Sequence, residues 1–327
     1  MLISTLLLIV GFAILIKGAD FLVNGASSIA KKNGISNLAI GLTVVAFGTS
    51  LPELIVSLFA AIDGKPDAAF GNVVGSNIFN LLFILGVAGI IYPLVVQRNT
   101  VKYEVPLSLL AAGVLFLLVN DGMVFGSDGN RLGRIDSFIL LIFFALFLYY
   151  IYRTMSSTSD LEEGEPIKLY SNALAVGMII LGLAFLVGGG KLVVDNAIDI
   201  AHYFGLSERF IGLTILAAGT SLPELATSAV AAYRRNTDIA IGNVVGSNIF
   251  NIFFILGITG MVHPIEYSTI MNMDIYILCG STVLLMIFMF TLNTRKLDRW
   301  EAFIMFVLYI VYTMYLIGND TGTTAAL

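Results

Sequence analysis

The hexapeptide GTSLPE occupies residues 48–53 and returns unchanged at 219–224, each time inside a long apolar run. Pro52 has no N–H, so the carbonyl of Gly48, four residues earlier, loses its helical partner. Gly48 weakens the helix further. In a membrane, carbonyls freed in this way are tolerated only where they line a polar cavity or hold something. Together with the hydroxyls of Thr49 and Ser50 and the carboxylate of Glu53, they form a cluster of hard oxygens, the donor type that suits Na⁺ and Ca²⁺. Thr220, Ser221, Pro223 and Glu224 repeat the arrangement.

Spacing places these oxygens on shared faces. Thr49, Glu53 and Ser57 recur at i, i+4 and i+8, as do Asn72, Ser76 and Asn80 in the run that follows. The matching stripes are Thr220, Glu224, Ser228 and Asn243, Ser247, Asn251. The small pairs Gly71/Gly75 and Gly242/Gly246 are expected to let helices approach closely. A carboxylate buried in a membrane is a functional-site hypothesis by default. The plainer reading makes Glu53 and Glu224 protonated acids that bridge helices. Lys17, Asp20, Lys191, Asp195 and Asp199 lie in the first helix of each half, and the repeat does not preserve their types; Asp20, for instance, maps onto Lys191. They could pair, snorkel or line a water-filled path. The acidic DLEEGE segment at 160–165 reads as a solvated linker, and His202 and His263 as incidental surface residues.

The elements that position these residues follow from composition. Of 327 residues 58% are hydrophobic and only 12% charged, half the share usual in a soluble domain. Apolar runs of roughly 20 residues, long enough to cross a bilayer, fall near 2–28, 37–61, 68–92, 104–120, 136–153, 170–200, 208–232, 239–263, 275–292 and 300–318. The first run lacks a basic start and a cleavage site and is expected to be a span.

An offset of 171 residues maps AIGLTVVAFGTSLPEL (39–54) onto FIGLTILAAGTSLPEL (210–225) and GNVVGSNIFN (71–80) onto its copy at 242–251. Five spans per copy reverse the direction of the second. The expected fold is an all-α polytopic membrane protein of ten transmembrane helices in two inverted five-helix repeats, an architecture common among transporters. The repeats are expected at 1–153 and 170–327, joined by a cytoplasmic linker at 154–169, with the most similar stretches at 39–92 and 210–263. With the N-terminus outside, the inner loops hold eleven Lys and Arg and the outer loops four (Lys65, Arg131, Arg134 and Arg209). Both termini are therefore expected outside a plasma or inner cell membrane.

One cysteine excludes an internal disulfide and a thiolate metal site, and no basic patch suggests nucleic acid. No nucleotide loop, His-containing metal site or nucleophile with its base is present, so neither an enzyme nor a bound cofactor is expected, and no obligatory protein partner is evident.

The paired GTSLPE and GNVVGSNxFN motifs resemble the cation/Ca²⁺ exchanger superfamily, in its sodium/calcium exchanger branch of prokaryotic type. The likeness spans essentially the whole chain. It implies one central ion site built by both repeats, with ligand roles for the side chains of Thr49, Ser50, Glu53, Ser76 and Asn80. The matching set is Thr220, Ser221, Glu224, Ser247 and Asn251, and the carbonyls of Ala46 and Ala217 would complete flanking sodium sites. Asn251 stands where some relatives carry Asp, which argues against K⁺ coupling. The first motif differs from the Asn-Ala form of proton-coupled relatives. The resemblance thus implies antiport of Ca²⁺ against Na⁺ by alternating access. Ca²⁺/H⁺ antiport on the same fold and, further off, a cation channel stay open.

Overall fold

Proline, glycine and polar pairs decide where the helices start and stop. The computed structural model describes residues 2–120, 130–154, 168–204, 217–291 and 295–324. In chain order the helices are α1 (Leu2–Asn33), the bent pair α2 (Asn37–Thr49) and α3 (Leu51–Ile62), and α4 (Pro66–Ile91) and α5 (Thr100–Val119). Then come α6 (Arg134–Thr154), α7 (Asn172–Tyr203), α8 (Leu222–Tyr233), α9 (Thr237–Val262) and α10 (Thr269–Phe288), and α11 (Arg299–Thr324).

Among the described residues eight helices are long and apolar enough to cross a membrane, or nine when α2 and α3 count as one broken span. The chain is a multi-pass membrane protein. The span expected near 208–232 lies partly outside the described residues; its described part is the single turn Ala217–Gly219 followed by α8. The span expected at 275–292 ends earlier, at Phe288, where Thr291 donates its hydroxyl to the Phe288 carbonyl at 2.9 Å. The acidic segment at 160–165 lies outside the described residues.

Two pairs of two-residue strands escape a reading of periodicity. Leu94–Val95 pairs antiparallel with Lys296–Leu297, and Arg131–Leu132 with Ile265–Glu266. Each ribbon joins a loop of the first half to a loop of the second, so the halves are clipped together on both sides.

The helices that carry the polar stripes are the most enclosed. The most apolar window of α9 is 94% buried and that of α4 72%, against 22% for α6 and 17% for α11. Thus α4 and α9 form the centre and α6 and α11 the rim. Around them α1 and α7 make one antiparallel pair along their length. Gly11 of α1 faces Gly189 and Val193, Gly18 faces Gly182 and Leu186, and Gly25 faces Ala175 and Ile179. Of the small pairs read from sequence, Gly242 and Gly246 do bring α9 close to α2: a Cβ on Gly246 would lie 2.8 Å from Ala46 Cβ and 2.9 Å from Leu42. For the first-half pair, the segment corresponding to Leu38–Val45 lies at 209–216, outside the described residues. A Cβ on Gly71 would meet only Met271, at 3.8 Å, and one on Gly75 would meet no described atom within 4 Å.

Candidate ion-binding site

The chain bends by 46° between α2 and α3, with Ser50 at the corner and Pro52 in the first turn of α3. Pro is tolerated there because a first-turn N–H has no helical partner in any case. Ser221 and Pro223 hold the same places at the start of α8. Each carboxylate therefore projects from the first turn of a new helix, and both Glu53 and Glu224 are 1% exposed.

Hydrogen bonds across the site come in reciprocal pairs. Ser50 donates to Glu224 Oε1 at 2.9 Å, and Ser221 to Glu53 Oε1 at the same distance. Asn72 Nδ2 donates to the Glu53 carbonyl and to Ser57; Asn243 Nδ2 does so to the Glu224 carbonyl and to Ser228. Thr49 donates to Asn243 Oδ1 at 3.1 Å and Thr220 to Asn72 Oδ1 at 3.3 Å. Contacts in which i meets j′ and j meets i′ are the mark of a twofold axis. Here the axis is internal to one chain and runs between Glu53 and Glu224.

The asparagines continue the pattern. Asn77 Nδ2 donates to the Asn248 carbonyl and Asn248 Nδ2 to the Asn77 carbonyl, while Asn80 donates to Asn248 Oδ1 and Asn251 to Asn77 Oδ1. Asn80 and Asn251 sit in π-helical turns, Phe79–Ile84 and Phe250–Leu256. Such turns are rare and concentrate at functional sites. Asn77 and Asn248 did not stand out in the i, i+4 stripes, though both lie in the GNVVGSNIFN motif three positions before Asn80 and Asn251. They orient the other amides: each of Asn80 and Asn251 spends its nitrogen on the partner helix and keeps a buried oxygen without a partner. Truncating Asn77 or Asn248 to Ala leaves buried amide groups without partners, at a cost of about 1–3 kcal/mol. The two single variants are expected to lower the melting temperature in detergent by equal amounts, as the twofold requires.

Ten buried side-chain oxygens have no hydrogen-bond partner among the described residues, and five of them belong to this site. They are Glu53 Oε2, Glu224 Oε2, Asn80 Oδ1, Asn251 Oδ1 and Ser247 Oγ. Such atoms are costly to bury, and oxygens alone, without N–H donors, are the ligands that hard cations take.

Of the residues singled out in sequence, Thr49, Ser50, Glu53, Ser76, Asn80, Ser221, Glu224, Ser247 and Asn251 are all buried, and Thr220 is half-buried. Ser76 lies 3.0 Å from Ser221. The Ala46 carbonyl is not left free by the break: it accepts the Ser50 N–H at 3.0 Å, and the Thr49 hydroxyl lies within hydrogen-bond distance of it at 3.3 Å. Ala217 opens the described turn before α8. Lys17, Asp195 and Asp199 lie exposed on α1 and α7, away from these contacts, and Asp20 is ion-paired with Arg234.

A polytopic helical protein with paired buried carboxylates, broken helices and an internal twofold belongs to the class of ion transporters. The family profile described as sodium/calcium exchanger protein matches residues 3–153 and 174–318, and the chain belongs to that family. It is 41% identical over 271 residues to inner membrane protein YrbG of Escherichia coli, covering 81% of this chain and 82% of that one. It is 32% identical to sodium/calcium exchanger MaX1 of Methanosarcina acetivorans, over 93% of this chain and 95% of the other. The solved structure of the sodium-calcium exchanger NCX_Mj is similar with a TM-score of 0.80 at 33% identity, covering 96% of this chain and 99% of that chain.

Proposed function

We propose that the protein is a secondary active antiporter that exchanges Ca²⁺ for Na⁺ by alternating access. The observation that carries this reading is the group of five buried, unpartnered oxygens gathered around Glu53 and Glu224. Ionised, the two carboxylates carry a charge of −2, which one Ca²⁺ neutralises. Several Na⁺ could take its place on the same carboxylates, the hydroxyls of Thr49, Ser50, Ser76, Thr220, Ser221 and Ser247, and the carbonyls of Ala46 and Ala217. A bare −2 site is costly to carry through a low-dielectric barrier. That cost couples the two ion fluxes, because the exchange of access is favourable only with the site loaded.

The span near 208–232 completes ten helices in two inverted sets of five, at 1–153 and 170–327, in this reading. The excess of Lys and Arg then puts both termini outside the cell membrane. Consequently the loop after α3, at Asp63, faces outward and the loop after α8, at Arg234, faces the cytoplasm.

The test is ⁴⁵Ca²⁺ uptake into proteoliposomes loaded with Na⁺, beside Na⁺-free vesicles with and without an imposed pH gradient. Uptake that requires internal Na⁺ is the expected result. If a pH gradient drives uptake and Na⁺ does not, protons are the counter-ion and the sodium assignment fails.

A further inference from the structure

The internal twofold is broken at one place, and the charges there explain how. Under the 171-residue offset, α1 corresponds to α7 and α3 to α8. The packing of α1 on α8 should therefore be matched by packing of α7 on α3. It is not. Both α1 and α7 pack against α8, and neither packs comparably against α3. The site shows the same bias: Thr49 and Asn243 are 0% exposed, whereas their counterparts Thr220 and Asn72 are only half-buried. The molecule is thus drawn shut toward the Arg234 end and relaxed toward the Asp63 end.

The shut end is fastened by side chains. Arg234, at the C-terminal cap of α8, forms an ion pair with Asp20 of α1 and donates to Asn24 Oδ1 one turn further on. Next to it Asn236 donates to Ser27 of α1 at 3.0 Å. The twofold counterpart of Arg234 is Asp63, and that of Asp20 is Lys191. Both members have changed sign, so the pair stays attractive with its polarity reversed. The reversal is confined to that pair: at the neighbouring positions Lys65 and Asp195 stand where the fastened side has the neutral Asn236 and Asn24. Backbone geometry fixes the correspondence: Arg235 and Gly64, the same residue of the turn in each copy, have φ of 57° and 71°. Lys191 and Asp63 are both exposed here, and neither forms an ion pair among the described residues.

We propose that Asp20–Arg234 and Lys191–Asp63 are two alternately engaged ionic latches, one at each end of the central site. The α1/α7 pair slides between them, so that closing one end releases the other. Opposite polarity preserves attraction in both end states. It also explains why the repeat keeps charge at these positions without keeping residue type. The latches rest on the alternating-access reading but not on which cations are exchanged.

The test reads conformation directly. In full-length protein carrying Cys279→Ser, nitroxide labels at Phe59→Cys on α3 and Tyr203→Cys on α7, both exposed positions, report the α3–α7 separation by pulsed EPR in lipid nanodiscs. A long and a short distance are expected. Asp20→Asn should raise the short population several-fold and Lys191→Gln should lower it several-fold, in keeping with an ion pair at a partly exposed site. In uptake assays Lys191→Asp and Asp63→Lys should each slow exchange several-fold, and the double variant should recover most of it. Populations that ignore Lys191→Gln, or a double variant no better than its singles, overturn the latches. Shifted populations in a protein that moves no Ca²⁺ would leave the latches standing and remove the Ca²⁺ assignment.

Discussion

Glu53→Gln and Glu224→Gln are each expected to reduce Na⁺-driven ⁴⁵Ca²⁺ uptake by at least about 100-fold without loss of folded protein. Gln keeps the shape of the side chain, and Ser221 or Ser50 retains an oxygen within 2.9 Å to bond. What disappears is one of two buried negative charges. Removing one partner from a buried ion pair, here a carboxylate from its pairing with Ca²⁺, costs about 3–5 kcal/mol, which is about two to three and a half powers of ten in affinity. The twofold adds a second requirement. Because the contacts of Glu53 and Glu224 are reciprocal, the two variants should agree within a few-fold. A site with one remaining carboxylate suits a monovalent ion, so ²²Na⁺ exchange should fall less than ⁴⁵Ca²⁺ exchange. If either variant retained normal Ca²⁺ exchange, Glu53 and Glu224 would revert to structural acids.

In the proposed exchange, the same symmetry lets one site serve two compartments. Every oxygen that approaches from α3 has a counterpart on α8, and every amide of α4 has one on α9. A cation among them would meet equivalent ligands from either side. In the proposed cycle the direction of opening is set not by the site but by α1 and α7, which in this structure pack on α8 and not comparably on α3.

Much of this arrangement is legible in the residues. Pro52 and Pro223 mark the two breaks, and the i, i+4 stripes identify which faces of α3, α4, α8 and α9 turn inward. Repetition at 171 residues implies the pairing of the halves. The chain does not announce Asn77 and Asn248, because their work is to orient Asn80 and Asn251 from the opposite helix. That is a relation between segments far apart in sequence. The two-residue ribbons are too short to leave a periodic trace. Gly242/Gly246 show their close approach because the facing residues Leu38, Leu42 and Ala46 are described, whereas residues 209–216, which correspond to that stretch opposite Gly71/Gly75, lie outside the described residues. The sign reversal from Asp20 to Lys191 is visible in the sequence. Its meaning appears only once Arg234 is seen against Asp20.

Gly182→Val and Gly18→Val are expected to be as damaging as loss of the carboxylates, but through the fold. A Cβ on Gly182 would stand 2.8 Å from the Gly18 carbonyl and 2.8 Å from the Leu22 nitrogen, and one on Gly18 would stand 2.9 Å from the Gly182 carbonyl. These neighbours are helical backbone, which cannot swing aside as a side-chain tip would. The helices must part along the whole α1/α7 seam, whose close approach relies on small residues. Overpacking of this kind costs about 1–3 kcal/mol where side chains can adjust, and a backbone obstacle puts it at the upper end or beyond. Both variants should therefore show a sharply lowered melting temperature and little monodisperse protein on gel filtration. Gly177→Ala on the same helix, where an added Cβ meets no described atom within 4 Å, should behave as the parent protein. If Gly182→Val folded normally and transported Ca²⁺ at the parent rate, α1 and α7 would have to separate freely, and the two could not slide as one body between the ends of the site.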